Sequence, residues 1–334
     1  MLCRQLEYQS LKTVLQHMDA NVRFQISLHM PSIRSVEKVV PLKIKKFVVE
    51  GCVTKVDTTC YDLGVIRHDP DGSAPESVKK EIRLGGLSID YDEFGFPDYS
   101  GDKIQRFEYN KKLYEAEKYL NEVLFGSRTT PVQLATLDWN SCMYAIFRLP
   151  IGFRMQVHTV YDAVNMVTHK SFPLLVGNSG SLNALWIVGQ FVSIPCQGQI
   201  VQNAKRLIFS DTPQGEMQRL IENIRSLSNL EIGISPQKQS YSAELCFQLI
   251  QGWLSRDRPV GAVCWIEMKE DETIKEVLRL VQTKYVNTER NERSVIIRTD
   301  QFAIVEMFQD MFVREEPGSE YIRGSILKIR IVKA

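Results

Sequence analysis

Residues 205–234, KRLIFSDTPQGEMQRLIENIRSLSNLEIGI, hold the pattern that decides the fold. KRLIFSD (205–211) is a short apolar run bounded by turn residues, the mark of a strand. Met217, Leu220, Ile221 and Ile224 then fall at i, i+3, i+4 and i+7, which gives a helix one apolar stripe. NLEIGI (229–234) is strand-like again. The same alternation extends outward in both directions. VQLATLD (132–138), RMQVHTVY (154–161), ALWIVGQ (184–190), AVCWIEM (262–268) and SVIIRTD (294–300) read as strands, and the starts of the series are spaced 21 to 33 residues apart. Leu245, Leu249 and Trp253, and then Ile274, Val277, Leu278 and Val281, supply the later helical faces. A strand and a helix every 20 to 30 residues is the grammar of a leucine-rich-repeat-like solenoid, in which each unit buries its face on its neighbours. No regular L-x-x-L-x-L-x-x-N consensus is present, so the expected fold class is α/β, an irregular solenoid, with an open α/β sandwich as the alternative. FAIVEMF (302–308) and GSILKIRIVKA (324–334) have no helix between them and are expected to pair as an antiparallel hairpin over the open end of the sheet.

Upstream the grammar changes. LEYQSLKTVLQHMDANVRFQISLHMPSIRSVEKVV (6–40) reads as three short helices. Leu11, Val14, Leu15 and Met18 line one face of the first. Asp19 or Asn21 can cap the second, which carries Val22, Phe24, Ile26 and Leu28. Pro31 suits the first turn of a third, with Ile33, Val36 and Val40 on one side, and Pro41 stops it. Three amphipathic helices in forty residues need further surface to form a core, from this chain or another. Strands are expected at 42–50 and 58–67, a turn-rich loop at 68–102, and a helix at 102–126 with Leu113, Ala116, Leu120 and Leu124 as its stripe and Gly126 at its end. The expected organisation is a helical module at 1–41, a β-rich connector with an acidic loop and long helix at 42–130, and the α/β domain at 131–334.

The helical segment resembles an F-box, the module by which substrate receptors dock on the Skp-type linker of SCF ubiquitin ligases; the matching positions are Leu6, Leu11, Val14, Leu15, Met18, Phe24, Leu28 and Ile33. The chain has Leu6-Glu7 where an F-box opens Leu-Pro, and it lacks the usual later Cys and Trp. The run VPLKIKKFVVEG…TTCYDLGVIRHDPDGSAPESVKKE…GGLSIDYDEFGFPD (40–98) closely resembles the nematode F-box C proteins, which carry a domain of unknown function at this place, and the resemblance covers nearly the whole chain. It implies an F-box-like module followed by that domain, with a Skp-type linker and a target protein as partners.

Composition narrows the class. The 334 residues carry 41 basic and 40 acidic side chains, a net charge of +1 that points to no polyanionic partner such as nucleic acid. Lys43, Lys45 and Lys46 read as a solvated strand edge. Seven irregularly spaced cysteines without a C-x-x-C fit free thiols in a reducing compartment. No window is apolar enough to span a membrane, and a cytoplasmic or nuclear protein is expected.

Motifs for chemistry are weak. GNSGS (177–181) has Asn178 where a trypsin-like nucleophile loop has Asp, and His158 and His169 lack the accompanying words. Asp90, Asp92, Glu93 and Asp98 suggest a calcium loop, with Gly95 at its sixth position, but Phe94 and Gly101 stand where two ligands belong. The histidines form no zinc spacing, and no phosphate-binding glycine loop occurs. Gly252-Trp253…Arg258-Pro259-Val260-Gly261 reads as packing followed by a sharp turn. No catalytic, cofactor or metal residue is assigned, and a binding protein is expected rather than an enzyme. The expected partner-binding residues are Leu11, Val14, Leu15, Met18, Phe24 and Leu28. The alternative is that these helices only cap the solenoid.

Overall fold

The computed structural model describes residues 2–50, 53–62, 113–139, 148–162, 180–188, 199–236, 240–291, 293–298, 303–314 and 322–333. The acidic loop and most of the GNSGS word lie outside them. The chain divides into two compact units: Met1–Lys43, Phe47–Pro131 and Cys142–Phe153 form the first, and Ile44–Lys46, Val132–Ser141 and Arg154–Ala334 the second.

In the first unit three helices follow one another, α1 (Leu2–His17), α2 (Ala20–His29) and α3 (Pro31–Val39). Asp19 caps α2 as expected, its carboxylate accepting from the amides of Asn21 at 2.8 Å and Val22 at 3.4 Å. Pro31 opens α3, where its fixed φ and missing N–H cost nothing. Strand β1 (Lys43–Glu50) pairs antiparallel with β2 (Val53–Val56), and β2 with β3 (Thr59–Asp62). The β2–β3 turn holds Asp57 at φ 54°, a left-handed conformation that Asp tolerates better than most residues. Helix α4 (Leu113–Phe125) ends before Gly126, whose N–H reaches the Glu122 carbonyl at 2.8 Å. Leu15, Phe24, Leu42, Phe47, Val56, Leu124 and Phe125 are among the buried apolar side chains of this unit, each contributing roughly 1.5–3 kcal/mol.

The second unit is built on β4 (Val132–Trp139), β5 (Met155–Asp162), β6 (Ala184–Val188), β7 (Arg206–Ser210), β8 (Glu231–Ser235) and β9 (Val263–Met268), each parallel to the next. Its helices are α5 (Gln199–Asn203), α6 (Met217–Ser226), α7 (Ala243–Leu254) and α8 (Asp271–Lys284). Beyond β9 the pairing becomes antiparallel through β13 (Ile322–Lys333), β12 (Ala303–Arg314), β11 (Ser294–Arg298) and β10 (Thr288–Arg290). The result is a mixed α/β fold with a large open sheet.

The expected hairpin forms, with twelve-residue strands paired from Ala303↔Lys333 to Arg314↔Ile322. Its position differs from expectation. SVIIRTD does not follow β9 as the next strand of the series: β13 sits against β9, with Ile329 opposite Cys264, and β11 and β10 lie outside the hairpin. The long apolar strands β12 and β13 can each pair on both sides, so they take the interior and leave the three-residue β10 as the edge.

On one face of the sheet, register aligns an apolar row, Leu137, Val160, Leu185, Leu207, Ile232, Cys264, Ile329 and Met307, all of them buried. The helices α6, α7 and α8 turn their apolar stripes inward, with Met217, Leu220, Ile221 and Ile224, then Leu249 and Trp253, then Ile274, Val277, Leu278 and Val281 buried. On the other face, register aligns Tyr161, Trp186, Ile208, Gly233, Trp265, Lys328 and Phe308 in one row. Tyr161 and Trp186 stack with centroids 5.0 Å apart.

Glycine is required at 233, because a β-carbon there would overlap the six-membered ring of Trp265. Gly233→Ala is expected to lower unfolding free energy by about 1–3 kcal/mol, the usual cost of overpacking. Urea denaturation of the intact chain checks this, and an unchanged midpoint would contradict the placement of Trp265.

Candidate functional site

The six residues expected to bind a partner do not share one surface. Leu15 is 1% exposed and Phe24 2%, so both belong to the interior of the first unit. Val14 is 55% exposed, while Leu11, Met18 and Leu28 are half-buried. A helical stripe wider than one contact line explains the split, since neighbours such as Val14 and Leu15 point about 100° apart. The Phe24 ring meets Tyr61 edge-on at 6.4 Å and Phe125 at 5.8 Å, and Phe125 continues the cluster to Phe47 and Phe153.

Beneath these helices lies a charged cluster that periodicity does not reveal. Glu37, wholly buried, is bracketed by Arg23 at 2.9 Å and Arg128 at 2.8 Å. Arg23 also donates to the carbonyls of Glu37, Val40 and Pro41 at 2.8–3.1 Å, the acceptors left over where α3 ends. Lys38 does the same for α4, donating to Val123 and Leu124 at 2.8 and 3.2 Å, and Arg128 reaches Leu124 as well. Burial holds the guanidinium pKa of Arg23 and of Arg128 below the ordinary arginine value against the pull of Glu37. Burial and the Arg128 charge bring Lys38 down to about 8. The Nε and Nη1 atoms of Arg128 are buried without a hydrogen-bond partner. Sequence gives no signal for this cluster, because a charged residue on a short helix reads as solvated until its partner is in place.

The β2–β3 hairpin is tied to α2 through Asn21, which donates to the Val56 carbonyl at 3.0 Å and accepts from the Tyr61 hydroxyl at 2.8 Å. Burial, with Asp19 nearby, raises the Tyr61 phenol to about 12. Elsewhere in this unit Arg148 pairs with Glu117 at 2.6 Å, and its carbonyl accepts from Asn121.

In the second unit the Gly252-Trp253…Arg258 word is structural. Trp253 is buried, Gly252 lies against Ile221, and Arg258 donates to the carbonyls of Leu227, Ile224 and Trp253 at 2.5, 2.9 and 2.8 Å. One guanidinium therefore closes the ends of both α6 and α7 while lying over the Trp253 ring at 5.3 Å. Lys46, expected as a solvated edge lysine, pairs with Asp138 at 2.9 Å.

Among the described residues no three His, Cys, Asp or Glu side chains are grouped as metal ligands. Burial raises the thiols of Cys246 and Cys264 to about 12, which keeps them protonated. No described helix is long and apolar enough to cross a membrane.

Residues 112–270, from α4 through β9, match a family model described as a domain of unknown function (DUF3557). No curated protein and no solved structure matches the chain.

Lys38 gives a pH test. Its native pKa lies below the ordinary lysine value of 10.5, so above pH 8 the native state sheds a proton that the unfolded chain keeps. The unfolded state then binds more protons, and this group's contribution to stability rises with pH. The buried thiols act oppositely but equally in wild type and variant. The unfolding free energy of wild type minus that of Lys38→Met is therefore expected to grow by about 1 kcal/mol between pH 8 and 9. Paired denaturation curves measure it, and a difference that shrinks with pH would refute the assignment.

Proposed function

We propose that this chain is a protein-interaction adaptor related to the nematode F-box C proteins. Helices α1–α3 dock on a Skp-type linker of an SCF-type ubiquitin ligase, and the α/β unit holds a target protein. The observation that carries this reading is exposed apolar surface. Of the ten large apolar side chains exposed among the described residues, Tyr8, Val14, Val22 and Met30 lie on α1, on α2 or at its end. Exposed apolar groups gathered on short amphipathic helices suit helix-in-groove docking. In this reading Leu11, Val14, Met18 and Leu28 touch the partner, and Leu15 and Phe24 hold the helices in place from within.

The sequential parallel strands β4–β9 support reading the second unit as an irregular leucine-rich-repeat-like array, whose work is recognition rather than catalysis. An adaptor of this kind works in the cytoplasm or nucleus. The second reading, helices that only cap the fold, is favoured by the burial of Leu15 and Phe24 within the first unit.

The two readings separate in a pull-down with a purified Skp-type subunit. Wild type should capture it, and Val14→Asp with Met30→Asp should not, while the circular dichroism spectrum stays unchanged because both side chains already face water. Phe24→Ala should instead lower stability by about 3–5 kcal/mol, as for other buried aromatic residues. Failure of wild type to capture the linker would remove the ligase connection and leave the cap.

A further inference from the structure

We propose that the second unit, at the end of its sheet where β7, β8 and β9 begin, docks an acidic segment of the target protein that carries a large apolar side chain among its carboxylates. The proposal rests on the adaptor reading of this unit and names the chemistry of its target.

Three connections meet at this end. Residues 204–205 lead from α5 into β7, 227–230 from α6 into β8, and 255–262 from α7 into β9. Backbone hydrogen bonds lay them side by side. The Glu231 amide donates to the Lys205 carbonyl at 3.2 Å, and the Val263 amide to the Leu230 carbonyl at 2.8 Å. Side chains tie them further, Ser228 donating to Gln202 at 2.7 Å and Arg256 to the Ser226 carbonyl at 2.9 Å.

The side chains here reach water. Leu230 is 52% exposed and Val260 58%, and Lys205, Ser228 and Arg256 are exposed as well. Large apolar side chains exposed among the described residues of the second unit are Leu230, Val260 and Val286, so most of them gather at this one end. Val260 is held outward by a tight turn. The Ala262 amide donates to the Pro259 carbonyl at 2.9 Å, and Gly261 takes the positive φ, 90°, that its place in the turn requires. The Gly261 amide is fixed in its turn by the Ile331 carbonyl at 2.8 Å. A tip ordered in advance loses little entropy on binding.

Charge selects the partner. The chain as a whole is nearly neutral, yet the three connections carry Lys205, Arg256 and Arg258 against Asp257 alone. Arg225 adds a cation in the last turn of α6, with Glu222 one turn behind it. Arg258 is engaged by the carbonyls of α6 and α7, whereas Lys205 and Arg256 are exposed. A run of carboxylates neutralises this surplus, and an apolar side chain within the run covers Leu230 and Val260. A basic segment would add to the surplus. Nucleic acid would neutralise it but leave the two aliphatic side chains uncovered, because bases stack on aromatic rings.

Fluorescence anisotropy of the intact chain tests this with a labelled nonapeptide, Gly-Ser-Glu-Glu-Leu-Glu-Glu-Ser-Gly, and two counterparts. One has glutamine for every glutamate, the other serine for the leucine. The parent peptide should bind most tightly, each counterpart about fivefold more weakly, and the parent's affinity should fall as salt rises. Lys205→Gln with Arg256→Gln should weaken the parent about tenfold, and Leu230→Ser with Val260→Ser about fivefold. Lys275→Gln with Arg279→Gln, the same charge change on α8, should stay within about twofold. Equal binding of the parent and its glutamine counterpart by wild type overturns the proposal without recourse to any variant. So does an oligothymidylate of the parent's charge that binds as tightly as the parent. A Lys205→Gln, Arg256→Gln protein that binds the parent like the α8 variant overturns it too. Capture of the Skp-type linker is read on the same samples, so failure of the docking reading and failure of this site appear as separate losses.

Discussion

The carbonyl oxygens at helix C-termini set the constraint from which the rest of this structure follows. A helix leaves its last four carbonyls without partners, and at the packed ends of α3, α4, α6 and α7 they are met by side-chain donors. Arg23 closes α3, Lys38 and Arg128 close α4, and Arg258 closes α6 and α7 together. Asn229 repeats the device for α5, its amide donating to the Val201 and Ala204 carbonyls at 2.7 Å each. Cations also suit the negative end of a helix dipole, which partly offsets their desolvation.

The two units apply the device differently. In the second, Arg258 is a single cation that needs no carboxylate, because three carbonyls and an indole face satisfy it. In the first, three cations share one buried carboxylate, Glu37, and burial depresses the pKa of each of the three. Removing one partner would leave a buried charge uncompensated, and the contacts of the cluster tie α2, α3 and α4 to one another. In the same unit Leu15 and Phe24 face inward, and Val14, Val22 and Met30 are exposed.

The elements were legible because period and punctuation are local. Asp19, Pro31 and Pro41 bracket the N-terminal helices, and the Met217, Leu220, Ile221, Ile224 stripe is buried as its spacing requires. What escaped was what depends on distant partners. The strand-and-helix rhythm carries no direction, so nothing local shows that β13 inserts beside β9 and pushes β11 and β10 outward. Arg23 and Lys38 look like solvated helix residues until the carbonyls they reach are in place. Residues 53–56 read as part of a connector, and only the Asp57 turn makes them a strand.

The two faces of the second unit's sheet differ in what their side chains do. On the helix-covered face the central row of side chains is apolar and buried, so a change there costs stability. On the other face the same strands carry aromatic rings, paired charges and the hydroxyls of Ser210 and Ser235 at the ends of β7 and β8. Trp265 shows the division most clearly. Its neighbour Ile266 is fully buried under the helices, while the indole is held flat by a glycine on the next strand and a carboxylate two residues before it. With both contacts in place the indole lies against the backbone of β8, which sets its orientation.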